Sequence, residues 1–566
     1  MNIVHRPCEG ERVTVWPLPE GLTGDPGLIR VFAGGAKERE EDCPTLRAVK
    51  ARPRLQAMHR THYKPADFEP FALATVMRRL DVLEFGRVRE DPARVRPSHQ
   101  GLERYAEHAV DQYLAAVKSL DPGGELLPDP QYWVRQARTA ADPHGNRTVY
   151  ELRVWGRCYA NRERTVCELR LLRFGSAQPG KRGPGERDPA EIAMAAYVAA
   201  HGGRAAEPTR WGDEHSVRDA VTPQRVRVVE IGCLDGSVGP LFDGTPDEAE
   251  AAYRRLAAPR LRATVDAVHR RPGSGCVTCR LTAGCSDLPR TPGILGIKDF
   301  SRPRRTLSVT DLRRYANCPA QEHLRRIHLP YDKDIEHNHH VARGHAVHAW
   351  LQHLHARTPQ RPCTVADAPA ERTDWRVDDW HLTGDDAELG ARLIARHAAV
   401  CPLRHADPGT TPIAERLLTF YDPEADVVLT AKPDLLYRSR GSVVWREIKS
   451  TKYRRPLGNK DVLEQYPQAA LALVLLAEGM LGGDVRHSRV EVEILRPSGP
   501  DLELVSPRQA DRIATARQVI RDLAAPWHGD RTSNPNPGRH CVRCEVARWC
   551  PAADTLPVSS PSSGLH

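Results

Sequence analysis

The chain has no apolar run long enough to span a bilayer: the longest, Ala469 to Ala477, falls far short of the roughly 18 to 20 residues that a crossing requires. Its opening, Met1-Asn-Ile-Val-His-Arg-Pro, lacks the apolar segment of a signal peptide, so a cytoplasmic protein without a membrane partner is expected. That argues against disulfides. Fourteen cysteines in a reducing compartment predict metal or redox chemistry wherever they fall in paired motifs. Neither half contains G-x-x-x-x-G-K-[ST], so the sequence encodes no Walker-type ATPase. A chain of 566 residues is too long for one core and fits two domains of about 250 residues each. The net charge of +9 is carried mainly by Arg, whose planar fork matches phosphate, which makes nucleic acid a candidate partner.

What is present is one cysteine pattern, used twice. C-V-x-C-x5-C occurs as Cys276, Cys279, Cys285 and again as Cys541, Cys544, Cys550. A lone Cys-Pro pair lies far upstream of each, Cys43-Pro44 and Cys318-Pro319, at nearly equal separations. Four thiolates closing so long a stretch, twice over, predict two copies of one domain, each clamped by its own metal centre. The expected boundaries are a first domain over 1–287, a Pro-, Gly- and Arg-rich linker over 288–305, a second domain over 306–551, and a disordered tail over 552–566. Cys8, Cys158, Cys167, Cys233, Cys363 and Cys401 fall outside the pattern and read as ordinary thiols.

Both halves predict the same order of elements. In the second, a short helix from Ser308 ends near Cys318 and another covers 343–355. Strands follow over 427–437 and 442–450, then an apolar helix over 462–477, a strand over 489–495 and a helix over 507–523 that leads back to the cysteine triplet. The first half gives a helix over 101–117, strands over 148–159 and 164–174, a helix over 189–200, a strand over 225–231 and a helix over 248–269.

Lys432-Pro433-Asp434 falls in the first strand of the second half, and Glu447-Ile448-Lys449 in the next. Alternation puts Glu447 and Lys449 on one face and Ile448 on the other. Carboxylates converging from adjacent strands form a hard, oxygen-rich site suited to Mg2+ or Mn2+. Such an ion polarises a phosphodiester and acidifies bound water, while a nearby Lys orients that water or neutralises charge on the phosphate. Gly344-His345-Ala346-Val347-His348 on the preceding helix offers a further ligand, and Gln468 offers an amide. His337, His339 and His340 read as solvated loop residues.

Tyr315-Ala-Asn-Cys318-Pro319, Gly344-x3-His348, Lys432-Pro-Asp434, Glu447-Ile-Lys449, Gln468 and Cys541-x2-Cys544-x5-Cys550 together resemble the PD-(D/E)XK nuclease superfamily. The branch resembled is the one with an iron–sulfur cluster: RecB-type nuclease domains, AddB and the CRISPR-adaptation exonucleases. The resemblance spans about 307–551 and implies an α/β, restriction-endonuclease-like domain with a mixed central sheet flanked by helices. It implies His348, Asp434, Glu447 and the Ile448 carbonyl as ligands of Mg2+ or Mn2+, with Asp434, Glu447, Lys449 and Gln468 in the catalytic set. His348 fits the family spacing better than His345. It also implies a [4Fe-4S] cluster on Cys318, Cys541, Cys544 and Cys550, and by repetition a second on Cys43, Cys276, Cys279 and Cys285. Four cysteines suit Zn2+ equally well. The family often has Tyr four residues after its Gln; Ala472 stands there, which leaves Gln465 as a competing choice. The implied function is a DNA nuclease of repair, recombination or defence that works with a separate helicase or ATPase. The alternative is a non-catalytic iron–sulfur DNA-binding or assembly subunit.

Laid on the second half, the first places Tyr105 of Gly101-x3-Tyr105 at His348, Gly156-Arg-Cys-Tyr159 near Asp434, and Glu168-Leu-Arg170 at Glu447-Ile-Lys449. A single Glu lacks the partners to hold Mg2+, so this copy is expected to be folded but inactive, with Glu163 the acid that a small slip in alignment would bring in. Arg147, Arg153, Arg157, Arg162 and Arg164 are expected to contact the DNA backbone.

Overall fold

The computed structural model describes residues 16–37, 42–58, 64–140, 147–179, 186–218, 222–407, 411–453 and 460–553. Cys8 and nearly all of the tail expected over 552–566 lie outside them. In the first half come β1 (Leu28–Phe32), α1 (Pro44–Lys50), α2 (Ala72–Phe85), α3 (Gln100–Leu120), β2 (Leu127–Asp129), β3 (Tyr132–Arg138), β4 (Val149–Arg153), β5 (Arg157–Ala160), β6 (Val166–Arg173), α4 (Pro189–His201), β7 (Arg225–Gly232) and β8 (Val238–Gly244). The second half supplies β9 (Arg305–Leu307), α5 (Val309–Asn317), α6 (Pro319–Arg326), α7 (His339–Ala356), α8 (Gly384–His397), β10 (Ile413–Ala414), β11 (Leu418–Asp422), β12 (Val427–Ala431), β13 (Leu435–Ser439), β14 (Ser442–Ser450), α9 (Pro467–Ala477), β15 (Arg489–Arg496), β16 (Gly499–Val505) and α10 (Ala510–Gly529).

The two halves share their strand pairing. A five-stranded sheet in the first has the order β8-β7-β6-β5-β2, with β6 and β7 parallel and the other pairs antiparallel. The second has β16-β15-β14-β13-β10, with β14 and β15 parallel and the rest antiparallel. A parallel pair needs a helical crossover, and α4 and α9 provide one each. In α9 the run from Ala469 to Leu476 is fully buried, which explains its unbroken apolar sequence. A smaller sheet repeats too: β1 runs parallel to β4, which pairs antiparallel with β3, as β9 runs parallel to β12, which pairs antiparallel with β11. Among the described residues no helix is long and apolar enough to cross a membrane.

Several expected elements are subdivided. The strand expected over 427–437 is two, because Pro433 has no N–H for a ladder; β12 ends at Ala431 and β13 starts at Leu435 in a different sheet. The strand expected over 148–159 divides likewise, at Gly156, where a Cβ would stand 2.8 Å from the Arg170 carbonyl oxygen. Pro467 opens α9 and separates it from the short helix Val462–Gln465. The helix expected over 248–269 contains a π turn, Tyr253–Ala257, and ends at Val265. The segment 288–305 is irregular, but it is no free tether: Ile294, Leu295 and Ile297 are buried in the second half's core.

The halves interlock through their cysteine segments. Leu102 and Tyr105 of α3 share an apolar cluster with Leu324 and Ile327 near α6 and with Trp549, inside the last cysteine triplet. Arg104 donates to the carbonyls of Cys550 and Pro551 at 3.0 and 3.2 Å. In return, Cys276 and Leu288 pack on Tyr421 and Val428. Gly101 permits the closest approach: a Cβ there would meet Leu324 at 2.7 Å and the Trp549 carbonyl oxygen at 2.8 Å. A helical Gly→Ala change ordinarily stabilises by up to about 1 kcal/mol. Gly101→Ala is expected to destabilise instead, by about 1–3 kcal/mol, because rigid backbone opposes the new methyl. Denaturant unfolding checks the sign.

Candidate active site

The break at Pro433 puts Asp434 immediately before β13. Leu435 pairs with Arg446, so continuing that register sets Asp434 opposite Glu447 on β14. Asp434 Oδ2 accepts from the Ile448 backbone N–H at 2.5 Å and from Lys449 Nζ at 3.4 Å. Lys449 Nζ also donates to Glu447 Oε2 at 2.8 Å, and Glu447 Oε1 accepts from Trp445 Nε1 at 2.8 Å. From α7, His348 Nδ1 lies 3.1 Å from Asp434 Oδ1. The Ile448 side chain packs with Val347 and Leu351 of α7, which seats the helix on β14.

A residue that sequence reasoning missed joins this group. One ligand atom each from His348, Glu415 and Asp434 all lie within 4.8 Å of one another. Glu415 directly follows β10 at φ 52°, a left-handed conformation uncommon for a non-glycine residue and often associated with functional sites. Lys432 Nζ stands 2.9 Å from its carboxylate. Nothing in Ile413-Ala414-Glu415-Arg416 distinguishes this acid by pattern, so only the fold reveals it.

The electrostatics separate the two acids. Burial opposes ionisation of Asp434, yet the charges of His348 and Lys449 hold its carboxyl well below the usual range. Burial pushes Glu447 up, Lys449 opposes that shift, and the Asp434 charge adds to it. Burial would lower Lys449, but Asp434 and Glu447 outweigh it and keep the ammonium protonated. The Asp434 and Glu415 carboxylates and the His348 imidazole form the kind of donor set that a divalent cation complements, with Glu447 beside them through Lys449.

The other expected residues are placed as follows. Gln468 lies in the first turn of α9, and its Oε1 is buried without a hydrogen-bond partner among the described residues. Gln465 is exposed and donates to the Tyr466 hydroxyl at 3.1 Å. His345 stacks on Trp380 with centroids 4.8 Å apart rather than reaching Asp434. His339 and His340 are exposed, as expected, but they open α7 instead of lying in a loop.

The eight patterned cysteines fall into two similar settings. Cys43 and Cys318 each cap a helix with Pro at its first position, α1 and α6. Cys318 lines one cavity with Cys541, Cys544 and Cys550; Cys43 lines another with Cys276, Cys279 and Cys285. Backbone N–H groups point at the sulfurs: Asn536 to Cys318 at 3.4 Å, Gly538 to Cys541 at 3.3 Å, Arg271 to Cys43 at 3.4 Å and Gly273 to Cys276 at 3.5 Å. Burial pushes the Cys544 thiol up to about 12 and Cys279 up to about 11. Such thiols ionise only with a cation beside them, and a bound metal supplies one. A third group, His355, Cys363, His397 and Cys401, is buried and could hold a metal ion. Cys363 and Cys401, read as ordinary thiols, are buried and free, but they lie beside two histidines too distant in sequence to signal the group.

The first half offers a counterpart without free acids. Tyr159 pairs with Glu168 across β5 and β6, as Asp434 stands across from Glu447. The side chain that reaches it from α3 is Tyr113, hydroxyl to hydroxyl at 2.8 Å, whereas Tyr105 donates to the Phe174 carbonyl at 3.0 Å. Tyr113, two turns beyond Tyr105, thus stands in the position expected for Tyr105; Gly101 serves packing and does not set the register. Glu168 pairs with Arg170 at 2.6 Å and Arg227 at 3.1 Å. Glu84 of α2 pairs with Arg157 and takes the Tyr159 hydroxyl. The Arg170 guanidinium lies over the Tyr159 ring, 3.5 Å from its centroid. Glu163 is exposed and accepts from Asn161 Nδ2 at 3.4 Å.

Three of the five arginines expected to meet DNA are committed internally. Arg153 is buried on Glu207, Arg157 on Asp81 and Glu84, and Arg164 pairs with Asp129 at 2.9 Å. Arg147 and Arg162 are exposed.

Residues 306–551 match the family model of the PD-(D/E)XK nuclease superfamily. The site just described lies within that match, which suggests nuclease-type chemistry; nucleases of this superfamily use divalent metals and act on DNA. No curated protein matches the chain. A solved structure it resembles is a crystal structure of SSO0001, 16% identical over 44% of this chain and 86% of that one, with a TM-score of 0.23.

Removing one partner from a buried charge cluster leaves the others uncompensated. Arg157→Ala, which strips the guanidinium from Glu84 and Asp81, is expected to cost about 3–5 kcal/mol of stability. Denaturant unfolding followed by Trp fluorescence checks it.

Proposed function

We propose that residues 306–551 form a Mg2+- or Mn2+-dependent DNA nuclease domain of RecB-like type, and that 1–287 is a duplicated copy without activity. The observation that carries the reading is the Lys449 ammonium lying between Asp434, just before β13, and Glu447 on β14, with His348 on the same Asp434. His348, Asp434, Glu447, the Ile448 carbonyl and the newly found Glu415 would hold the ion. When bound, the ion polarises the phosphodiester and acidifies an attacking water. Asp434, kept ionised by His348 and Lys449, anchors the group. Lys449 keeps its proton, so its role is to donate to a phosphate oxygen and balance charge developing there. Gln468 supplies an acceptor with no competing partner among the described residues, suited to substrate or an active-site water.

The matched strand orders of both sheets and the matched Cys-Pro helix caps support duplication. Tyr113 and Tyr159 at the places of His348 and Asp434, with Glu168 tied to two guanidinium groups, support inactivity of the first copy. We assign a [4Fe-4S] cluster to each cysteine quartet, supported by four sulfurs around one cavity and by N–H groups aimed at them. Zn2+ is the competing occupant. A separate helicase or ATPase would supply the unwinding motor that this chain's motifs lack.

Cleavage of labelled single- or double-stranded DNA with Mg2+ or Mn2+ is expected for the whole chain, with losses of at least about 100-fold in Asp434→Ala and Lys449→Ala. No cleavage of any substrate favours a non-catalytic DNA-binding or assembly subunit. Protein purified without oxygen is expected to be brown, with roughly eight iron and eight sulfide per chain. Cys544→Ser is expected to lose one cluster and to destabilise the second half, since its thiolates tie α6 to the C-terminal segment. Zinc without sulfide in the quartets contradicts the cluster assignment.

A further inference from the structure

We propose that His355, Cys363, His397 and Cys401 form a structural zinc site, separate from both cysteine quartets and from the carboxylate centre. All four are buried, none more than 2% exposed. His355 lies in the last turn of α7, Cys363 in the following loop, His397 ends α8, and Cys401 follows it. One donor atom from each lies within 4.8 Å of the other three. His355 Nε2 and His397 Nε2 are 3.0 Å apart, and the Cys363 backbone N–H donates to Cys401 Sγ at 3.2 Å. In a tetrahedral zinc site, with Zn–N near 2.0 Å and Zn–S near 2.3 Å, donor atoms stand roughly 3.3–3.8 Å from one another. Small side-chain shifts bring this set to that spacing.

The surroundings fit a metal-bound imidazole. His397 Nδ1 lies 2.6 Å from Glu493 Oε1, and Glu493 is itself held by Arg446 at 2.7 Å. With its Nδ1–H donated to that carboxylate, His397 turns the lone pair of Nε2 toward His355 Nε2, inside a buried pocket. Two imidazole nitrogens so placed need a proton or a cation between them, and two sulfurs lie at hand to complete a cation's shell. A carboxylate behind a ligating histidine is the usual outer support of a zinc site. Imidazole and thiolate donors select zinc over the hard ions suited to the carboxylate centre.

Four protein donors leave no position open for water or substrate, so this ion would be structural. It would join the ends of α7 and α8, and Arg446 ties the same corner to the sheet through the Val400 carbonyl at 2.8 Å and through Glu491. His348 sits two turns back from His355 on the same face of α7. The zinc would therefore fix the rotation and height of the helix that brings His348 to Asp434.

Full-length protein expressed with added zinc and passed over a weak chelating column is expected to keep about one zinc per chain with tetrahedral coordination. Cys363→Ser and Cys401→Ser are expected to lose it, while Cys158→Ser and Cys544→Ser retain it. X-ray absorption at the zinc edge of the wild-type protein, which requires no variant to fold, is expected to give two sulfur and two nitrogen neighbours. Sulfur neighbours alone at the zinc edge, or no zinc bound at saturating supply, would each overturn the proposal. Loss of cleavage in Asp434→Ala with zinc retained keeps this site distinct from the catalytic reading.

Discussion

Pro433 ends one sheet and Asp434 begins the approach to another, so a carboxylate is delivered to a seam where regular pairing has stopped. One backbone N–H, that of Ile448, and two side chains, Lys449 and His348, converge on it instead. Burial alone would neutralise such an acid. Its ionisation therefore depends on α7 lying where His348 reaches one carboxylate oxygen and on β14 presenting Lys449 to the other. The remaining features of the second half hold those two elements in place: the apolar contact of Ile448 with α7, the buried Arg446–Glu491–Glu493 network beneath the strands, and the His and Cys corner where α7 and α8 end.

The first half solves the same packing problem with other chemistry. Where the second has an imidazole on a carboxylate, it has one tyrosine hydroxyl on another, and its acids are neutralised by Arg157, Arg170 and Arg227. Buried charges paired in this way preserve a fold while leaving no donor set for an ion. What this half contributes instead is contact. Its α3 covers the last cysteine triplet, and its own triplet rests on β11 and β12. Each thiol cavity is lined by its own half, but the triplet beside it packs on the other half, which couples the stability of the two.

Sequence made the strand-borne part of the site legible, because alternation alone puts Glu447 and Lys449 together. It failed where spacing replaces periodicity. Gly101-x3-Tyr105 copies the spacing of Gly344-x3-His348, yet Gly101 is fixed by contact with Leu324, and Tyr113 is the residue that faces the strands. The arginine run looked like a surface because charge was read without partners; Arg153 and Arg157 are interior because acids on distant elements meet them. Glu415 and the His355–Cys401 group were hidden for the same reason, since their neighbours are set by tertiary folding alone. The segment 374–397, a hairpin with α8, lacked strong local signals and gains its order from packing on α7.

The proposed nuclease centre holds one divalent ion jointly between α7, the seam before β13, and β14. Anomalous scattering from crystals soaked in Mn2+ tests it most directly. A manganese peak bounded by His348, Asp434 and Glu447 is expected, absent in Asp434→Ala. A fully ordered site without manganese at saturating soak, or an ion bound away from those three side chains, would contradict it.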